Sequence, residues 1–259
     1  MNGLRSELLK YKRTFMGRLI VLIPIFFAVY AFVIQIIMKN NALAEASGNT
    51  STSWTMLLAL VFNWWSFLFL PLGMALFASL VASQEKKAGN YRALRSHNIS
   101  PIMLWVNKIA GMAVYSLLST LVLLIVVTIT GACISGGSIP FAKIFTGCIA
   151  CWFISLTLIP IQLWVSTWGG TLISMGIGFI GMIVGVIAAP TKYWIIVPWS
   201  WAMRFMCPII GVHPNNVILD SNSPLLNPAI IPGGILVSVV VLLFTLIVTG
   251  IWFSRREIQ

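Results

Sequence analysis

The chain is 259 residues long, 59% apolar and only 8% charged, with 16 Lys and Arg against 5 Asp and Glu for a formal net charge of +11. Soluble domains carry about 25% charged residues, so this composition excludes one and makes lipid the solvent. In that setting the positive charge reads as a topology signal and a contact with anionic membrane lipids, and no nucleic-acid partner is expected.

The N-terminal segment 1–18 reads as an interfacial helix. Leu4, Leu8, Tyr11 and Phe15 share one stripe at helical spacing, with Lys10, Arg13 and Arg18 elsewhere around the helix and Arg5 and Lys12 beside the stripe. The alternative is that this segment only prolongs the first span. Six stretches then contain no Asp, Glu, Lys or Arg: 19–38, 56–81, 109–131, 144–165, 171–189 and 233–253. Each approaches or exceeds the ~20 residues a helix needs to cross a hydrocarbon core of ~30 Å. Their hydrophobicity is continuous rather than alternating, which favours helices over barrel strands. The expected fold class is therefore all-α, a single polytopic membrane domain over 1–259 with six transmembrane helices. The first apolar run begins only at residue 19 and no small-x-small cleavage site follows it, so it is expected to stay.

Basic residues near helix ends are retained in the cytoplasm. A cytoplasmic N-terminus puts 12 of them inside and leaves only Lys39, Lys143, Lys192 and Arg204 outside. Both termini are thus expected on the cytoplasmic side.

Between the spans, 39–53 is rich in Asn, Ala, Ser and Thr and reads as a flexible outer loop. The loop 83–101 is cytoplasmic in this scheme. Gly89 and Asn90 can end the outgoing helix, Ser100 followed by Pro101 has the chemistry of a helix start, and a short amphipathic helix from Tyr91 to His97 fits between them. It would present Tyr91, Leu94 and Arg95 along one side, a shape that a groove on another protein could receive. The alternative is that a positive loop is only a topology signal. In the fourth span, Cys148 and Cys151 form a Cys-x-x-Cys without a thioredoxin-like context, which reads as packing. In the fifth, Gly176, Gly178, Gly181 and Gly185 permit close helix approach. Pro71 and Pro160 are expected to bend their helices. The outer segment 190–232 holds seven of the twelve prolines together with Trp194, Trp199 and Trp201, and predicts short, broken or re-entrant helices at the membrane surface.

No Gly-x-x-x-x-Gly-Lys-Ser/Thr occurs, so the chain has no phosphate cradle of its own and no cofactor is expected on it. No span holds a charge that could relay protons or bind an ion, which argues against an ion-coupled carrier. His97 and His213 have no ligand-spaced partners, so neither a metal site nor an enzyme is indicated. The polar residues within spans, Gln35, Asn63 and Gln162, together with Trp199 and Trp201 outside, are candidates for a substrate path; interhelical hydrogen bonding is the plainer role of such amides.

The order Glu85, Gly89, Leu94, Pro101, Trp105, Lys108 after the second span resembles the permease subunits of type-2 ABC exporters. Gln84 to Leu94 with Leu104-Trp105-Val106-Asn107-Lys108 is most similar to lantibiotic-immunity permeases of the MutE/EpiE type. The resemblance implies an ABC-2 type transmembrane domain in a bacterial plasma membrane, working with a second permease subunit, homologous or identical, and with cytoplasmic ABC ATPase subunits that bind ATP and magnesium. It implies coupling to the ATPase through Glu85, Gly89, Tyr91, Arg92, Leu94 and Arg95, and expulsion of an amphiphilic antimicrobial peptide. The competing expectations are an exporter of a lipid, polysaccharide or drug, and a non-transporting scaffold or sensor.

Overall fold

The computed structural model describes residues 3–12, 14–44, 54–87 and 100–258. They form eight α-helices: α1 (Gly3–Lys12), α2 (Phe15–Ala44), α3 (Trp54–Lys87), α4 (Pro101–Ile134), α5 (Phe141–Ser155), α6 (Leu158–Ala188), α7 (Trp201–Ile210) and α8 (Ile230–Ile258). Five of them, α2, α3, α4, α6 and α8, are long and apolar enough to cross a membrane. The protein is an all-α, multi-pass membrane protein.

The expected stripe of the first 18 residues is shorter than predicted. Thr14 bends the chain, its hydroxyl and its amide both donating to the carbonyl of Tyr11, in the way short polar side chains compete with helix bonds. Tyr11 is buried, whereas Phe15 starts α2 and is 58% exposed. In α3 the helix widens to a π turn at Trp65–Phe69, where the Leu70 amide reaches back to the Trp65 carbonyl. The turn lies directly before Pro71, which has no amide to donate, and absorbs the mismatch that a proline puts into a helix. α4 begins as its sequence predicts, with Ser100 at the N-cap position and Pro101 in the first turn.

The stretch 144–165 is not one continuous helix, and this expectation is corrected. α5 ends at Ser155, and Leu156 and Thr157 form a turn before α6 restarts at Leu158. Pro160 cannot donate to the carbonyl four residues back, so the Leu156 carbonyl takes the Ile159 amide instead, at 3.1 Å. The Thr157 hydroxyl binds the Ser238 carbonyl and ties the break to α8.

α6 contains a second interruption. Gly170, at φ 74° and ψ −172°, occupies a backbone region open essentially to glycine alone. There the chain doubles back: the Ser174 hydroxyl donates to Gln162 Oε1 at 3.1 Å, although twelve residues of straight helix would span about 18 Å. Both arms lie along α3, with Ser166 donating to the Ala78 carbonyl and the single Ser174 hydroxyl proton shared between Gln162 Oε1 and the Ala75 carbonyl. A Cβ on Gly178 would sit 2.8 Å from Ala75 Cβ, so glycine is what lets the second arm approach.

The helix ends sort into two groups. At the basic end, Trp105 near the start of α4 donates to Thr249 at 3.0 Å and stacks on Phe253 of α8, while Arg256 donates to the Thr167 carbonyl just before the Gly170 reversal. At the Trp- and Pro-rich end, residues 190–232 contain 3-10 turns at Lys192–Ile196, Pro198–Ser200 and Pro224–Leu226 around α7. α7 is nearly enclosed, its residues 201–207 all buried, and it ends on Gly211 in the left-handed conformation.

Candidate functional site

Four charges converge at the basic end, where α1 lies against the last turn of α3 and the first turns of α4. Lys108 of α4 sits 2.5 Å from Glu85 Oε1 of α3 and 3.6 Å from Glu7 Oε2 of α1. Lys10 of α1 closes the ring, 2.7 Å from Glu7 and 2.9 Å from Glu85. The side chains of Lys108 and Glu7 are only 1% and 3% exposed. Two of the chain's five acidic residues lie here, and two carboxylates balance two ammonium groups, the condition under which buried charges persist. Tyr11 donates to Glu7 at 3.2 Å, and its ring packs edge-on against Tyr115 and Phe77. Tyr115 in turn donates to the Leu8 carbonyl, fixing α1 to α4 a second time. Burial alone would push the Lys10 ammonium down, but hydrogen bonds to Glu7 and Glu85 outweigh it and hold its pKa above the ordinary 10.5. The Lys10 contact is therefore complete below that value and lost only as pH rises through the raised one.

The cluster pins both roots of segment 88–99, since Glu85 is two residues from the end of α3 and Lys108 lies two turns into α4. Such an arrangement carries no chemistry of bond making. What it can do is hold three helix ends as one body, because pulling any one of them away leaves an unpaired charge in a buried place.

A profile of the family described as ABC-2 family transporter protein matches residues 3–185, which spans α1 through nearly all of α6. The chain belongs to this family. No curated protein and no solved structure matches it. The protein is the membrane permease component of an ABC-2 type transporter, a class whose permeases lack ATPase motifs and pair with ABC ATPase subunits.

In this ABC-2 permease the residues predicted from sequence do not gather in one place. Glu85 is in the charge cluster; Gly89, Tyr91, Arg92, Leu94 and Arg95, with the predicted helix from Tyr91 to His97, lie outside the described residues. Asn63 is buried at the opposite end, donating to the carbonyls of His213 and Pro214 at 3.0 and 3.2 Å. Gln162 is buried between the two arms of α6. Trp199 packs into the notch left by Gly181 and Gly185, where a Cβ would fall 2.5 Å from its ring at Gly181. Trp201 is 1% exposed and donates to the Ile195 carbonyl. Cys148 and Cys151 are free and buried. Sequence reasoning missed Glu7 and named Lys10 only as a charge off the apolar stripe of the first helix. The signal available was that Glu7 is the lone acid among the six charged residues before the first span, an odd placement in a segment otherwise suited to anionic headgroups.

Proposed function

We propose that this permease forms the membrane half of an ATP-driven exporter that expels an amphiphilic antimicrobial peptide, of the lantibiotic kind, from the membrane for self-protection. The carrying observation is the buried cluster of Glu7, Lys10, Glu85 and Lys108 around the two roots of segment 88–99. When nucleotide binding draws two ATPase subunits together, the Tyr91 to His97 segment moves with them, and α1, the end of α3 and the start of α4 follow as one body. The spans then exchange inward- and outward-biased arrangements. Two such permeases, alike or homologous, work as a pair.

The chain crosses the membrane six times in this reading, with α5 and the first arm of α6 making the fourth pass and the second arm the fifth. The reversal at Gly170 supports it, and the gathering of Arg255, Arg256, Lys86, Lys87 and Lys108 at one end supports a cytoplasmic location for that end. The similarity of 84–94 and 104–108 to lantibiotic-immunity permeases supports the cargo.

The test is purification of the permease with its ATPase, followed by measurement of ATP turnover with and without peptide. Turnover should rise with a lantibiotic, and Tyr91→Ala with Leu94→Ala should leave the permease inserted while ATPase co-purification falls. An ATPase that binds but responds to lipid or drug instead of peptide would replace the cargo; a permease with no ATPase would leave only a scaffold or sensor.

A further inference from the structure

A cleft of about 70 Å³ lies between α2, α3 and α4, immediately beyond the Tyr11, Phe77 and Tyr115 rings. Its wall on α3 runs from Trp65 through Gly73 to Leu80, about 22 Å at 1.5 Å per residue. One leaflet of the hydrocarbon core is ~15 Å deep. The α2 and α4 walls, from Met16 to Ile23 and from Tyr115 to Thr120, are shorter, about 10 Å and 8 Å, so the cleft follows the helix axes and is deep enough for part of an alkyl chain standing upright in its leaflet. Its α2 wall, Met16 to Ile23, begins in the first turn of that helix, so the lower mouth lies at the headgroup level of the basic end.

Which occupant fits is decided by hydrogen bonding. Five hydroxyls line the cleft, and each already donates within the protein: Tyr115 to Leu8, Ser116 to Ala113, Ser119 to Ile20, Thr120 to Ser116 and Ser155 to Trp152. Of the lining side-chain donors the buried Trp65 indole N–H alone has no partner, so water or a peptide backbone would find few free donors along these walls, and cavities of that character stay dry and take apolar guests. Lys12 and Arg18 are exposed on either side of the Thr14 bend, close in the chain to the lining residues Met16 and Leu19, where they can meet an anionic headgroup.

We infer that this cleft is a binding site for one acyl chain of an anionic phospholipid, with the headgroup held at the α1–α2 corner. The site adjoins the charge cluster through the shared Tyr11, Phe77 and Tyr115 packing, so the lipid becomes part of the wall that the coupling body moves against. The inference does not depend on what the transporter exports.

The test uses the full-length protein in vesicles of phosphatidylglycerol carrying a photoactivatable group on one acyl chain. Labelling should appear in peptides from α2, α3 and α4 that line the cleft and should saturate against unlabelled phosphatidylglycerol. Gly73→Leu fills the cleft from a position where a Cβ meets only Phe69, at 3.7 Å; it should cut that labelling about five-fold or more, with Gly73→Ala intermediate. Arg18→Gln should erase the preference for phosphatidylglycerol over phosphatidylcholine. Labelling around the lipid-facing Phe244 of α8 is the internal control and should not change. Should labelling prove non-saturable, or equal in wild type and both Gly73 variants, only the surrounding bilayer is being read and the site does not exist.

Discussion

The two ends of this protein are held by different forces. At the basic end three helices meet around four charges, and each member needs the others to be tolerated. At the Trp- and Pro-rich end α7 is nearly enclosed, held by ring packing, by glycine notches and by single amide-to-carbonyl bonds such as those from Asn63. A charge cluster has few acceptable geometries and moves as a unit, whereas apolar packing tolerates sliding. The difference suits the proposed coupling, in which the basic end is pushed and the other end opens.

The largest effect should come from breaking the charge balance. Lys108→Met leaves Glu7 and Glu85 with Lys10 alone and should cost about 3–5 kcal/mol of stability, read as a fall in melting temperature in detergent. Adding Glu85→Gln removes the orphaned charge and should restore much of that loss; a double variant as unstable as the single one would mean that Lys108 acts by packing. The matching test at the other end is Trp201→Ala, which empties a buried site and should cost about 3–5 kcal/mol as well. No charge change should rescue it. If Trp201 instead serves cargo, its removal together with Trp199 weakens peptide protection while leaving melting temperature and ATPase assembly unchanged.

How much of this was legible in the sequence follows from the same contrast. Membrane class, helical fold and the ABC-2 family are carried by local features: uncharged runs, and residues near one another in the chain such as Glu85, Trp105 and Lys108. The start of α4 was legible because Ser100 and Pro101 are adjacent. The cluster was not, because its members stand at positions 7, 10, 85 and 108, and no periodicity connects a charged first helix to a helix end 75 residues on. Nor was the break at Leu156 and Thr157, since hydropathy runs unbroken through it and only Pro160, four residues after Leu156, betrays it. The reversal at Gly170 is hidden for the opposite reason: Gly169 and Gly170 fall in the short gap between the expected spans 144–165 and 171–189, where nothing in the residue pattern gives the geometry of the connection.

A smaller effect sharpens the comparison. Asn63→Ala should cost about 1–3 kcal/mol, the range for stranding buried acceptors, and Gly170→Ala about 1–3 kcal/mol for backbone strain. Melting curves check both. An Asn63 variant of undiminished stability would free that residue for a role in the substrate path, and a Gly170 variant of undiminished stability would remove the sharp reversal between the arms of α6.

The central claim is that α1, the end of α3 and the start of α4 move as one body. Spin labels at the exposed Leu9 of α1 and Ile102 of α4, with the native cysteines replaced, measure it directly in the complex with the ATPase. Between the nucleotide-free and ATP-trapped states the Leu9–Ile102 distance should stay constant while the distance from Leu9 to Tyr193 at the far end changes. A Leu9–Ile102 distance that shifts with nucleotide would show α1 moving on its own, and the cluster would then be an anchor that releases rather than a joint that transmits.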